Sequence, residues 1–206
     1  MIIDTATQGS DAWLQARSEV ITASNLTKVM SKGRGSAPSK TREGYMIEKA
    51  TEILTGKAVT GGFKSDAMQY GNDTEAEARD FYQMISGNPV EEVGLIYLNE
   101  LKRIGASVDG LVGADGLVEI KCPTLPVHVR YLLDGTMPAA YVKQVQGQMW
   151  VTGRAWCDFI SYNPASHKMG FLIRVERDEE FIKSISDAVY AFIGDLDVLT
   201  EKLRAL

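Results

Sequence analysis

From Ser39 or Lys40 to about Leu54, apolar residues fall at helical spacing, and Gly56 follows as a stop. Residues 66–86 predict a longer helix. Ala67, Tyr70, Gly71, Thr74, Ala78, Phe81, Tyr82 and Ile85 form one stripe, Glu75 and Glu77 flank it on opposite edges, and Gly87-Asn88-Pro89 ends it. The period then shortens. Val93–Leu98, roughly 103–108 and Leu117–Lys121 are short β-branched runs separated by Asn99-Glu100, Asp109-Gly110 and Asp115-Gly116, the pattern of an antiparallel meander. Helical spacing returns near Val127–Leu133 and from Pro138 to about Thr152. Trp156–Tyr162 and Met169–Val175 predict two further strands, joined through Asn163-Pro164. Phe181, Ile185, Val189, Phe192, Leu196, Leu199 and Leu203 mark the buried face of a closing helix. This order predicts an α/β fold: one domain over residues 1–206, with a central mixed β-sheet flanked by helices.

Composition narrows the function classes. The chain has 206 residues, 45% hydrophobic and 24% charged, which excludes disordered, collagen-like and coiled-coil classes. No apolar run reaches membrane-spanning length and Met1–Ser10 lacks a signal-peptide pattern, so a cytoplasmic protein is expected. Cys122 and Cys157 are too few for a disulfide framework, a cysteine-rich zinc site or a four-cysteine iron–sulfur cluster, and His128 and His167 form no H-x-x-x-H pair. A bound metal would therefore be held mainly by oxygen, which favours Mg²⁺ or Mn²⁺. The net charge of −5 argues mildly against nucleic-acid binding, but Lys28, Lys32, Arg34, Lys40 and Arg42 cluster without an acid between Val20 and Arg42. That cluster reads either as a solvated basic loop or as a nucleic-acid contact. Within it, Ser31–Ser39 is rich in Gly, Ser and Pro and predicts a mobile loop.

The chemistry concentrates between Val108 and Pro123. On a predicted strand, Glu119 and Lys121 project to one side, and Val118 and Ile120 to the other. Taken alone, E-x-K can be a surface salt pair, and Asp109 can be a hairpin-turn residue. Asp109 also stands ten residues upstream of Glu119, across a hairpin, where the two carboxylates can lie together. Close carboxylates repel unless a cation sits between them. With a lysine on the same face, the set suits Mg²⁺-assisted phosphodiester hydrolysis.

At this point the sequence resembles a family. D-x(9)-E-x-K followed by Cys122-Pro123 resembles the active site of the PD-(D/E)xK nucleases, which implies a restriction-endonuclease-like core. Within that superfamily the chain is similar to the lambda-type phage exonucleases, the YqaJ-like viral recombinases. The resemblance rests on an ordered set: Ala12–Arg17, Ile21–Ser24, Gly71–Arg79, Ser107–Gly110, Leu117–Pro123, Tyr141–Trp150 and Glu176–Glu179. Val108 stands where many members have proline.

The resemblance implies roles position by position. Asp109 and Glu119 would be metal carboxylates, with the Ile120 carbonyl as a backbone ligand. Lys121 would be the catalytic lysine, and Glu75 would face the metal site through water. Periodicity alone does not choose Glu75 over Glu77. Gln144 would be the active-site glutamine; it shares a helix face with Gln148, while Gln146 points away and reads as structural. Arg17, Thr22, Ser24 and Ser107 would bind the 5′-phosphate of DNA, although Thr22 and Ser24 also read as N-cap residues of a helix over Asn25–Met30. Met68 would be an apolar wedge that separates strands, or else a core residue.

The implied activity is a Mg²⁺-dependent 5′→3′ exonuclease on double-stranded DNA, with Mn²⁺ able to substitute. It would release 5′-mononucleotides and leave a 3′ single-stranded tail for recombination. The implied partners are double-stranded DNA ends, a single-strand annealing protein and two further copies in a ring-shaped homotrimer; the implied setting is a phage or prophage in a bacterial host. A ring needs a basic surface only in its channel, which reconciles DNA binding with an acidic chain. The alternatives are another PD-(D/E)xK endonuclease, or a non-enzymatic DNA-binding recombination accessory protein.

Overall fold

The computed structural model describes residues 1–35, 37–59 and 66–206, with the side chains of residues 66–68 and 72 left out. A short strand β1 (Ile2–Ile3) leads to helix α1 (Asp11–Arg17), whose first turn is capped by Ser10: its Oγ accepts from the Trp13 N–H at 3.2 Å. Strand β2 (Ile21–Thr22), a 3₁₀ turn (Ala23–Asn25) and helix α2 (Leu26–Val29) follow. Helix α3 (Lys40–Thr55) is capped by Ser39 and stops at Gly56, whose φ of 63° lies in the left-handed region that glycine adopts without strain. Helix α4 spans Asp66–Ser86.

The strands form two sheets rather than one. The first has the order β1-β4-β5-β2, with β4 (Leu95–Tyr97) and β5 (Ile104–Ser107) antiparallel and β2 parallel to β5. The second has the order β3-β6-β7-β8-β9, with β3 (Val90–Glu91), β6 (Gly110–Val112), β7 (Gly116–Lys121), β8 (Trp156–Tyr162) and β9 (Gly170–Glu176). The expected meander is therefore two hairpins, β4–β5 and β6–β7, split at Val108-Asp109. Both sheets are mixed: β7 and β8 run parallel, with Glu119 opposite Phe159 and Lys121 opposite Ser161. A parallel pair needs a long crossover, and α5 (Leu125–Asp134) and α6 (Ala139–Thr152) supply it. Helix α7 (Glu179–Arg204) closes the chain, capped by Asp178.

Two cores sandwich β7. On one face, Leu117 joins Val145 and Met149 of α6, Leu26 of α2 and Ile185, Val189, Phe192 and Leu196 of α7. On the other, Val118 and Ile120 pack with Ala78 and Tyr82 of α4 and with Ile160 and Tyr162 of β8. The period-2 alternation of β7 thus places Glu119 on the face covered by α6.

Candidate active site

Glu119 is completely buried. Its Oε1 accepts from Lys121 Nζ and from Gln144 Nε2 at 2.6 Å, and its Oε2 accepts from Gln148 Nε2 at 2.6 Å. Gln144 and Gln148 stand one turn apart on α6, so one helix face supplies both amides. Glu119 and Lys121 share a face as the alternation predicts, and α6 covers Glu119 on that face with polar groups. Gln148 is the residue that the sequence reading misses as part of the site. Its only signal is the four-residue spacing from Gln144. Gln146 points away, as expected: Nε2 donates to the Glu176 carbonyl at 2.9 Å and Oε1 accepts from the Asp178 N–H at 3.0 Å.

Asp109 is not a hairpin-turn residue. It lies between β5 and β6, where the chain leaves one sheet for the other, and Gly110 pairs with Val118. Its Oδ2 accepts the Ile120 N–H at 2.7 Å, which clamps it to the active strand beside Glu119. Burial, and then the charge of Glu119, push the Asp109 carboxyl up to about 8. Burial works against charge on Lys121, but Glu119 and Asp109 outweigh it and hold the ammonium above the ordinary lysine range. Glu75 bonds Arg79 at 2.9 Å, and its carboxyl is raised by burial while Lys121 and Glu119 also act on it. Glu77 turns elsewhere and accepts from the Tyr162 hydroxyl at 2.8 Å. The two acids therefore have different partners, Arg79 for Glu75 and Tyr162 for Glu77.

A second cluster adjoins the first. Arg17, at the end of α1, donates to Ser107 Oγ at 2.7 Å and to Ser24 Oγ at 3.2 Å, and Thr22 and Ser24 hydroxyls lie 3.2 Å apart. Trp13 orients the arginine: the guanidinium lies 4.3 Å from its ring centroid, and its Nε1 donates to the same Ser107 Oγ at 3.2 Å. Neither Thr22 nor Ser24 caps a helix through its side chain. Both hydroxyls face the arginine cluster instead, and Thr22 Oγ1 accepts from Asn25 Nδ2 at 3.0 Å. Burial lowers the Arg17 pKa from its usual value. Gln148 Nε2 also lies 3.4 Å from the Ser107 carbonyl, so it touches both clusters. Of the basic segment, Arg42 is tied to Asp195 at 2.7 Å and Lys28 lies over the Tyr45 ring. The Met68 side chain lies outside the described residues.

The chain belongs to the YqaJ-like viral recombinase family, whose model matches residues 12–155, more than two thirds of its length. Among solved structures it is similar to the alkaline exonuclease LHK-Exo of Laribacter hongkongensis, at 38% identity and a TM-score of 0.87, covering 95% of this chain and 97% of that one. The same enzyme has been solved in complex with dAMP. A phage-related exonuclease from Haemophilus somnus shares the fold at 19% identity and a TM-score of 0.69, covering 89% of this chain and 96% of that one.

Proposed function

We propose that this protein is a Mg²⁺-dependent 5′→3′ exonuclease on double-stranded DNA. It releases 5′-mononucleotides and leaves 3′ single-stranded tails for annealing in the cytoplasm of a bacterial host. The observation that carries the reading is the adjacency of two clusters, a buried carboxylate–lysine group and an arginine–hydroxyl pocket. The 38% identity to a protein described as an alkaline exonuclease, also solved with dAMP, supports it.

The donor chemistry fits a hard divalent cation. Among the described residues, no three His, Cys, Asp or Glu side chains are grouped to hold a metal by themselves. The set instead comprises the Asp109 and Glu119 carboxylates and the Ile120 carbonyl, with Glu75 acting through water; all are oxygens. Gln148 Oε1, buried beside Glu119 with no hydrogen-bond partner, adds an orphaned acceptor at the same place. When bound, the cation supplies positive charge against the scissile phosphate and a water acidified enough to attack it.

The protein's own groups do the rest. Gln144 and Gln148 fix both oxygens of Glu119. Lys121, kept protonated by the acids around it, donates to the attacking water and to charge developing on the phosphate. Arg17 grips the terminal phosphate, with Ser24 and Ser107 oriented by it and Thr22 beside them. The strand-separating role of Met68 remains part of the proposal, as do a homotrimeric ring and a single-strand annealing partner.

The test is digestion of linear duplex labelled at one end, carrying 5′-phosphate or 5′-hydroxyl termini. Mononucleotides should leave from phosphorylated 5′ ends, stop on chelation, and return with Mg²⁺ or Mn²⁺. Cutting of covalently closed plasmid would point to an endonuclease, and no Mg²⁺-dependent nucleotide release would point to an accessory protein.

A further inference from the structure

One turn joins the two halves of the arginine–hydroxyl pocket. Arg17 ends α1 before it, and Thr22 and Ser24 come after it. Ser18 sits at φ −60° and ψ 147°, Glu19 at φ 66°, and the Val20 N–H donates to the Arg17 carbonyl at 3.3 Å. This is the pattern of a type II turn, whose third position demands a positive φ and ordinarily takes glycine. Here a glutamate fills it. Such a strained residue persists only where its surroundings hold it.

What holds it lies on α3, outside every segment that carries the family resemblance. Lys49 and Glu52, 5% and 4% exposed, form an ion pair at 2.6 Å. Lys49 Nζ lies 3.5 Å from the carbonyl oxygen of Arg17, the first residue of the turn. Glu52 Oε2 lies 3.4 Å from the backbone nitrogen of Glu19, the strained residue. Both contacts are long, but each sets a full charge against a backbone dipole in a place sheltered from water, where such interactions are strengthened. Glu52 Oε1 accepts the Val59 N–H at 3.0 Å, which anchors the pair to the chain beyond α3. Gln15 adds a second tie between the helices, donating to the Gly56 carbonyl at 3.2 Å and to Ser18 Oγ at 3.0 Å. As a way of filling space, a buried ion pair has little to recommend it. Removing two charges from water offsets most of their attraction, and apolar residues of like volume often fold as well.

We propose that the buried Lys49–Glu52 pair is a positioning element for phosphate recognition, bracing the turn that sets Arg17 against Thr22 and Ser24. Lys49 holds the carbonyl that enters the turn, and Glu52 holds the N–H at its strained position. The opposite charges match the opposite backbone dipoles. This rests on the reading of the pocket given above.

The experiment compares full-length wild type, Lys49→Met/Glu52→Met, Glu52→Gln and Arg17→Ala on duplexes ending in 5′-phosphate or 5′-hydroxyl. Binding is read by fluorescence anisotropy in EDTA, and digestion by end label with Mg²⁺. The ratio between the two kinds of end is insensitive to any unfolded fraction, which scales both alike. The double variant keeps the side-chain volume and should melt close to wild type. Its preference for phosphorylated ends should fall about tenfold, inside the roughly 100-fold that a misplacement of 1 Å can cost. Glu52→Gln keeps the shape and one acceptor oxygen and should lose a smaller part of that preference; it carries the same test should the double variant not fold. An undiminished preference, or equal loss on both kinds of end with a lowered Tm, would make the pair merely structural and overturn the proposal. Full preference retained by Arg17→Ala would instead overturn the pocket reading itself, so the two failures are distinct.

Discussion

Replacing Glu119 by glutamine and by alanine should separate chemistry from architecture. Its carboxylate receives three hydrogen bonds in a fully buried position. Alanine leaves the buried Gln148 amide with only its 3.4 Å contact to the Ser107 carbonyl, at a cost of about 1–3 kcal/mol, while the half-buried Gln144 amide can turn partly to water and costs about 1 kcal/mol. The total is about 2–4 kcal/mol, or roughly 4–16 °C in Tm for a chain of this size. Glutamine is gentler. Its new amide can face Gln148, whose partnerless Oε1 can rotate in to accept the new N–H. What remains lost is the charge opposite Lys121, whose side chain is 26% exposed and can turn toward water. The net cost should stay within about 2 kcal/mol, under roughly 8 °C. Both variants should be inactive on linear duplex with Mg²⁺, because neither supplies the acid. Thermal melts beside end-labelled digestion read both quantities. Equal melting of the two variants would refute the glutamine clamp, and more than a few per cent of wild-type rate in Glu119→Gln would refute the need for the carboxylate.

Other expectations follow from the same structure. Lys121→Met should end digestion while duplex-end binding persists in gel shifts; loss of binding would assign the lysine to DNA affinity. Light scattering should give three chain masses, and a monomer that digests long duplex processively would refute the ring. Asp158, buried on β8, accepts two bonds from Arg174 at 2.9 Å and one from Tyr82 at 2.8 Å. Asp158→Ala should cost about 3 kcal/mol, the low end for a broken buried pair because Arg174 is half exposed, and lower Tm by about 6–12 °C. An unchanged melt would show that the pair contributes nothing.

Long, strongly patterned elements were the most legible. The residues of β8, and those of α4 from 66 to 86, follow directly from periodicity. The two-residue strands β1 and β2 were not legible, because their pairing with β4 and β5 is a tertiary event with no local pattern. The split into two sheets was hidden for a related reason. Ile104 to Val112 reads as strand, turn, strand, and nothing local says that β5 and β6 pair in different sheets. At the site, residue types and spacing singled out Asp109, Glu119 and Lys121, but not the burial of Glu119, since α6 covers it from 25 residues away.

The break between the sheets has a consequence for step length. Ser107, the last residue of β5, touches Arg17, and Asp109, just before β6, touches the active strand. Two residues of extended chain, roughly 6–7 Å, separate them, comparable to the span between successive phosphates of a nucleic-acid strand. On the proposed reading, the grip on the terminal phosphate and the point of hydrolysis are therefore held apart by covalent backbone. The chain measures out one nucleotide at a time, and lengthening it between Ser107 and Asp109 would change the size of what is released.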